Sequence, residues 1–173
     1  MGAYVTILRI VHILGAMTWV GGVFFTTFML GPTIGALGPE GGKVMGHLVN
    51  KMRLTAYLSV AGGLTVLAGI LLYERQLDLF GGMGSYLDTT HGVFISIGAI
   101  AGIAAIIVGG AVTGRTAKEL TDLGGQIAAA GGPPKPEQAA LMAQLQDRMR
   151  KGSLTVSLLM AVAVITMAAA QSI

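Results

Sequence analysis

Residues 4–30 read YVTILRIVHILGAMTWVGGVFFTTFML, an apolar run interrupted by Arg9, His12 and Trp19. The run exceeds the roughly 20 residues a helix needs to cross a hydrocarbon core of about 30 Å. On a helical projection at about 100° per residue, Arg9, Gly15, Ala16, Trp19, Gly22 and Val23 all fall within about 80° of His12. An imidazole in lipid is costly unless something satisfies it or uses it. What His12 holds is therefore the functional question this sequence poses.

The rest of the composition agrees with a membrane location. The chain has 173 residues, 53 % hydrophobic and 11 % charged, with a mean hydropathy of +0.74, values typical of integral membrane proteins. Four runs are long and apolar enough to span, at about 4–30, 54–73, 91–113 and 153–170. The expected fold is all-α: one domain over 1–173, an integral membrane four-helix bundle whose third and fourth helices extend into a cytoplasmic helical hairpin. There is no cysteine, which excludes disulfides, thiolate metal sites and c-type haem attachment. The first run lacks a charged leader segment and is longer than a signal-peptide core, so it is expected to stay as a helix.

Charge placement predicts the orientation. Lys43, Lys51, Arg53, Arg115, Lys118, Lys135, Arg148, Arg150 and Lys151 would share one side, and only Arg9 and Arg75 the other. By the positive-inside rule both termini lie outside and loops 31–53 and 114–152 are cytoplasmic, as in a prokaryotic-type plasma membrane.

Between the spans, GPTIGALGPEGG from Gly31 reads as a turn-rich break. Val44, Leu48 and Met52 then form a helical stripe running straight into the second span, with His47 at its surface. That span carries Gly62, Gly63 and Gly69 and ends on the interfacial anchor Tyr73–Glu74–Arg75. Ser85, Asp88 or Thr89 would cap the third helix. On the face of His91, Gly98, Gly102, Ala105 and Gly109 leave a smooth groove for a neighbouring helix or a flat ligand. In the last loop, Leu120, Leu123 and Ile127 precede the break GGPPKP, and Leu141, Leu145 and Met149 follow it. These stripes predict two helices pairing as a hairpin, the second starting near Pro136.

Hydrolytic chemistry has no support, since no nucleophile–His–acid pattern and no phosphate-binding loop is present. The polar groups expected at membrane depth suit a different chemistry. His12 lies roughly 12 Å inside Tyr4, and a third helix starting at Ser85 would put His91 roughly 9 Å deep from the same side. Two facing imidazoles are suited to axial ligation of a b-type haem. Arg9 and Arg75 would meet the propionates, guanidinium being well matched to carboxylates. Gly15 and Gly22 would let the macrocycle approach, Trp19 would pack on its edge, and Gly98 and Gly102 would line the opposite wall. Each residue also has a plainer reading: a structural hydrogen bond for His12, a wetted helix start for His91, snorkelling for Arg9 and core filling for Trp19. The ten methionines raise copper(I), but no Met-x-x-x-Met pair occurs, and Met17, Met29, Met160 and Met167 read as core filler.

The run Arg9–Phe25 (RIVHILGAMTWVGGVFF) resembles the first helix of the copper-resistance-D-like superfamily, in which a helical His is followed seven residues later by Trp and then Gly-Gly. The chain is most similar to small four-helix members of that group, sharing Gly69–Tyr73 (GILLY), Gly-Gly-Pro-Pro at 131–134 and Thr166–Ala169 (TMAA). More distantly it is similar to HemJ-type protoporphyrinogen oxidases, a resemblance that implies His12 as an axial ligand. Those proteins continue with Pro-Arg-Leu-Phe and a second His, where this chain has Phe25–Pro32 (FTTFMLGP). The resulting expectation is a haem b protein or haem-bearing accessory subunit in electron transfer, with His12 and His91 as metal ligands. The alternatives are a structural or assembly subunit without cofactor, copper handling, or a HemJ-like oxidase. Expected partners are membrane lipid and other subunits of a redox complex or a second copy, with no nucleic acid.

Overall fold

The computed structural model describes residues 2–172, and every element within them is helical. Helix α1 (Ala3–Phe25) continues through one wide π-helical turn, Thr26–Leu30, into α2 (Gly31–Ala36). The N–H of Gly31 bonds the carbonyl of Thr26, five residues back. Pro32, in the first turn of α2, has no N–H to give the preceding turn, and widening the helix just before it absorbs that loss. The break expected at Gly31 therefore falls later, at Gly38, whose φ of +57° suits glycine.

Helix α3 (Pro39–Asn50) does not run straight into the second span, as its apolar stripe suggested. The N–H groups of Lys51 and Met52 both fold back on the carbonyl of His47, at 2.9 and 3.1 Å. Arg53 then takes a left-handed conformation (φ +52°) that turns the chain into α4 (Leu54–Phe80). Helix α4 outlasts the expected end at Tyr73 by two turns, because no helix breaker occurs before Gly81, which closes it at φ +78°.

The third span starts later than Ser85. Ser85 lies in the short helix α5 (Met83–Leu87), and α6 (Thr90–Val108) is capped by Thr89, whose hydroxyl accepts the Gly92 N–H at 2.9 Å. After a second π-helical stretch, Gly109–Gly114, the rod continues as α7 (Arg115–Ala129). The chain reverses at Gly131 (φ +68°), and α8 (Pro136–Ala169) returns unbroken, about 50 Å long at 1.5 Å per residue. Its start is fixed by the Lys135 N–H, which bonds Gln138 Oε1 at 3.0 Å.

Among the described residues, four helices are long and apolar enough to cross a membrane: Ala3–Ala36, Leu54–Phe80, Thr90–Ala129 and Pro136–Ser172. The most extensive packing is of α1 on α4 and of α6 on α8, with lesser contacts of α4 with α6 and α1 with α8. Trp19, Ala61, Ala105, Val156 and Met160 form the core between them. The outer faces, including Ile7, Ile100, Leu158 and Ile165, are exposed and apolar, as lipid contact requires. Beyond the spans, α7 packs on the first half of α8 through Leu123 and Leu145, both buried. Leu120, Ile127 and Met149 are half-buried, while Leu141 is exposed.

Candidate functional site

His12 points into the α1–α4 interface. Its Nδ1 donates to the backbone carbonyl of Thr65 at 2.8 Å. A carbonyl only accepts, so Nδ1 carries a proton. The imidazole covers Gly69: a Cβ placed there would be 3.0 Å from His12 Cε1.

That contact is one step of a repeating arrangement. Gly15 receives Thr65, whose Oγ1 lies 2.5 Å from where a Gly15 Cβ would be. Trp19 covers Gly62, with Cε2 at 2.8 Å from the Cβ position, and Leu58 fills the hollow at Gly22. The two antiparallel helices thus alternate, each giving a large side chain where the other has glycine. The face of α1 that gathers Gly15, Trp19 and Gly22 around His12 is sealed by α4. Thr65 and Leu58 occupy the hollows at Gly15 and Gly22. Trp19, 8 % exposed, belongs to the core.

His91 lies elsewhere. It is in the first turn of α6, and its Nδ1 donates at 2.8 Å to the carbonyl of Ala170, in the last turn of the chain. Carbonyls at a helix end lack intrahelical partners, and an imidazole is a suitable donor for one. Its ring stands edge-on to Tyr86, with centroids 6.2 Å apart. Tyr86 is fully buried between Tyr73 and Phe80, at centroid separations of 5.5 and 5.2 Å.

The expected matched depth of the two histidines is not met. Tyr73 on α4 meets Ser96 on α6 at 2.7 Å, which aligns those two levels. His12 contacts α4 a turn or more deeper, at Gly69 and Thr65, whereas His91 lies five residues outward of Ser96. At 1.5 Å per residue the two rings are separated by about 13 Å or more along the helix axes. The physical reason is the cap: Thr89, rather than Ser85, starts α6, so His91 sits at the rim.

The remaining candidates divide. Arg9 is exposed, one turn outward of His12, and Arg75 is exposed near the same end of α4, so the two cations do share an end. Gly98 is covered by Met167 and Thr166 of α8, which makes it a packing contact, whereas Gly102 faces open space. Among the described residues no three His, Cys, Asp or Glu side chains cluster to hold a metal ion. Neither histidine lines the hollow beside Val108 and Val112 or the one beside Tyr73 and Met83.

Several interhelical contacts were not foreseen. Thr65, Gly62 and Gly69 share one face of α4 at i+3 and i+7 spacing, a signal that the same projection used on the first helix would have found. The Tyr73–Ser96 link and the Ala170 carbonyl had no such signal. With a long 3.4 Å contact from Ser157 to Thr27, they complete one polar link for each neighbouring pair of spans. The chain matches no protein-family model, no curated protein and no solved structure.

Proposed function

We propose that the chain is a non-catalytic integral membrane subunit, a four-helix bundle whose histidines are interhelical links. The observation that carries this reading is the seating of His12, bonded to the Thr65 carbonyl and resting on Gly69. Polar side chains bonded across helices, and small residues that admit close approach, are the ordinary means of holding membrane helices together. His12–Thr65, Tyr73–Ser96, His91–Ala170 and Ser157–Thr27 each join two different spans, so both histidines have a role in assembly alone. Helix α7 and the first half of α8 then form a cytoplasmic hairpin for docking to other subunits, and both termini lie outside.

A second reading is favoured by one feature. Both histidines present Nδ1 to a carbonyl, the arrangement that orients a metal-ligating imidazole through its other nitrogen. In that reading haem b is held by one histidine of the chain at a boundary with another subunit, in an electron-transfer role.

Absorption spectra of protein purified from haem-supplied cells separate the two. The structural reading expects no Soret band, and His12→Ala to lower stability without a spectral change. A Soret band that disappears in His12→Ala or His91→Ala overturns it in favour of haem. For orientation, the cysteine-free chain allows single Cys labels. Ala130→Cys should react with an impermeant maleimide only after cells are opened, and Ser85→Cys in intact cells. The reverse pattern refutes the topology.

A further inference from the structure

Where the third span gives way to α7, α8 crosses close beside it. A Cβ at Gly152 would lie 3.2 Å from both Val112 Cγ1 and Thr113 Oγ1. Just beside this crossing is an open groove of about 470 Å³, with Val108 and Val112 on one wall and Asp147, Arg148, Lys151 and Thr155 on the other. Counted from Thr90 at 1.5 Å per residue, Val112 stands about 33 Å along its rod, at the far edge of a hydrocarbon core of about 30 Å. Counted back from Ala170, Lys151 stands about 28 Å along α8, at the same edge. The groove therefore lies at the boundary, where acyl chains give way to headgroups, with an apolar wall of valines and a cationic wall facing each other at the same level.

The charged rim is positive and has donors to spare. Asp147 takes one bond from Lys151 Nζ, at 2.6 Å, and one from Arg150, at 3.2 Å. These two partners hold its carboxyl below the usual carboxylate range. An ammonium has three N–H donors, so Lys151 keeps two after this pairing. Arg148 reaches Glu119 only at 3.8 Å, too long to use its donors well. Lys151 is 70 % and Arg148 50 % exposed. One carboxylate among Arg148, Arg150 and Lys151 leaves this turn of α8 cationic.

We propose that this groove binds an anionic phospholipid of the adjoining leaflet, its phosphate on Lys151 and Arg148 and the start of an acyl chain along Val108 and Val112. A zwitterionic choline headgroup fits worse, because its own cation would face the cationic rim. A free phosphate would leave the apolar wall uncovered. The proposal rests on the membrane placement of the helices and is independent of whether haem is bound.

Lipid titration of the full-length protein in neutral detergent, followed by native mass spectrometry, tests it with dioleoyl phosphatidylglycerol against dioleoyl phosphatidylcholine. Phosphatidylglycerol should bind more tightly. Each cation near a membrane surface is worth about fivefold in affinity, so Arg148→Gln with Lys151→Gln should lower phosphatidylglycerol binding by about 25-fold. Asp147→Asn should tighten it, a gain that a merely destabilised protein would not show. Thr155→Trp, at an exposed position, should block the groove and weaken both lipids with an unchanged circular-dichroism spectrum. Lys43→Gln should change nothing. Equal binding of the two lipids, a phosphatidylglycerol preference that survives in the double variant, or full competition by inorganic phosphate would each overturn the proposal.

Discussion

His12 bonds the backbone carbonyl of Thr65 at 2.8 Å, and its ring lies on Gly69, one turn further along the same helix. The polar group and the hollow that receives it thus belong to one partner, the second span. The link adds to a helix pair already interleaved at Gly15, Gly22 and Gly62.

The bond makes a modest contribution, because in lipid the separated helices also find partners for their polar groups. Such links average about 0.6 kcal/mol and reach about 1.7. His12→Ala loses the bond and the ring packing together, and the expected destabilisation is about 1–3 kcal/mol in a detergent–SDS unfolding titration. His12→Asn, able to keep a donor near the carbonyl, should recover part of it. His47→Ala, at an exposed position outside the spans, should leave the midpoint unchanged.

Glycines in the interleaved face differ from glycines facing open space. A Cβ at Gly62 meets the Trp19 indole at 2.8 Å, whereas one at Gly63 meets nothing within 4 Å. Gly62→Val should force α1 and α4 apart and cost about 1–3 kcal/mol or more. Gly63→Ala should be neutral or stabilising, since it removes backbone freedom without a clash. The same titration distinguishes them.

In the α7–α8 pair, burial outweighs charge. Leu123 and Leu145 are 7 % and 6 % exposed, and truncating either to Ala should cost about 2–5 kcal/mol of local stability. The Glu119–Arg148 pair is half-exposed and 3.8 Å long, so Glu119→Gln should have no measurable effect. Hydrogen exchange of the α7 amides is the readout: fast exchange in the leucine variants, unchanged exchange in Glu119→Gln.

Tyr86 is fully buried, and its hydroxyl has no hydrogen-bond partner among the described residues. Replacing an unsatisfied buried group with an apolar one of the same shape is neutral to stabilising. Tyr86→Phe should therefore be as stable as the parent or up to about 1–3 kcal/mol more so. Burial first, and Tyr73 beside it second, push the phenol above its ordinary value of 10.0. The folded state thus prefers the neutral form, so this group's contribution is complete below that value and is lost as pH rises from it towards the raised one. Thermal denaturation above pH 10 should show that decline in the parent and a shallower one in Tyr86→Phe.

Much of the fold was legible in the sequence because hydrophobic length and period are local properties. The four helices long enough to span and the return helix from Pro136 followed from composition and i, i+3, i+4 spacing. The same spacing gave the two apolar stripes, of which Leu123 and Leu145 are buried and Leu141 is exposed. Boundaries were less legible. Thr89 competes with Ser85 for the same cap, and Arg53 adopts a left-handed conformation that no residue type announces. The turn-rich stretch from Gly31 predicts a break, yet a wide turn carries the helix past Pro32.

For the candidate site, the sequence by itself determined that His12, Trp19, Gly15 and Gly22 share one face, since helical geometry alone fixes that. It did not determine what the face meets. A glycine hollow reads the same whether a macrocycle or a neighbouring helix fills it, and that choice depends on the docking register of two antiparallel spans. The register sets Gly69 against His12, Thr65 against Gly15 and Gly62 against Trp19. Only the tertiary structure decided this, because van der Waals complementarity between membrane helices is a property of the pair and is carried by neither sequence alone.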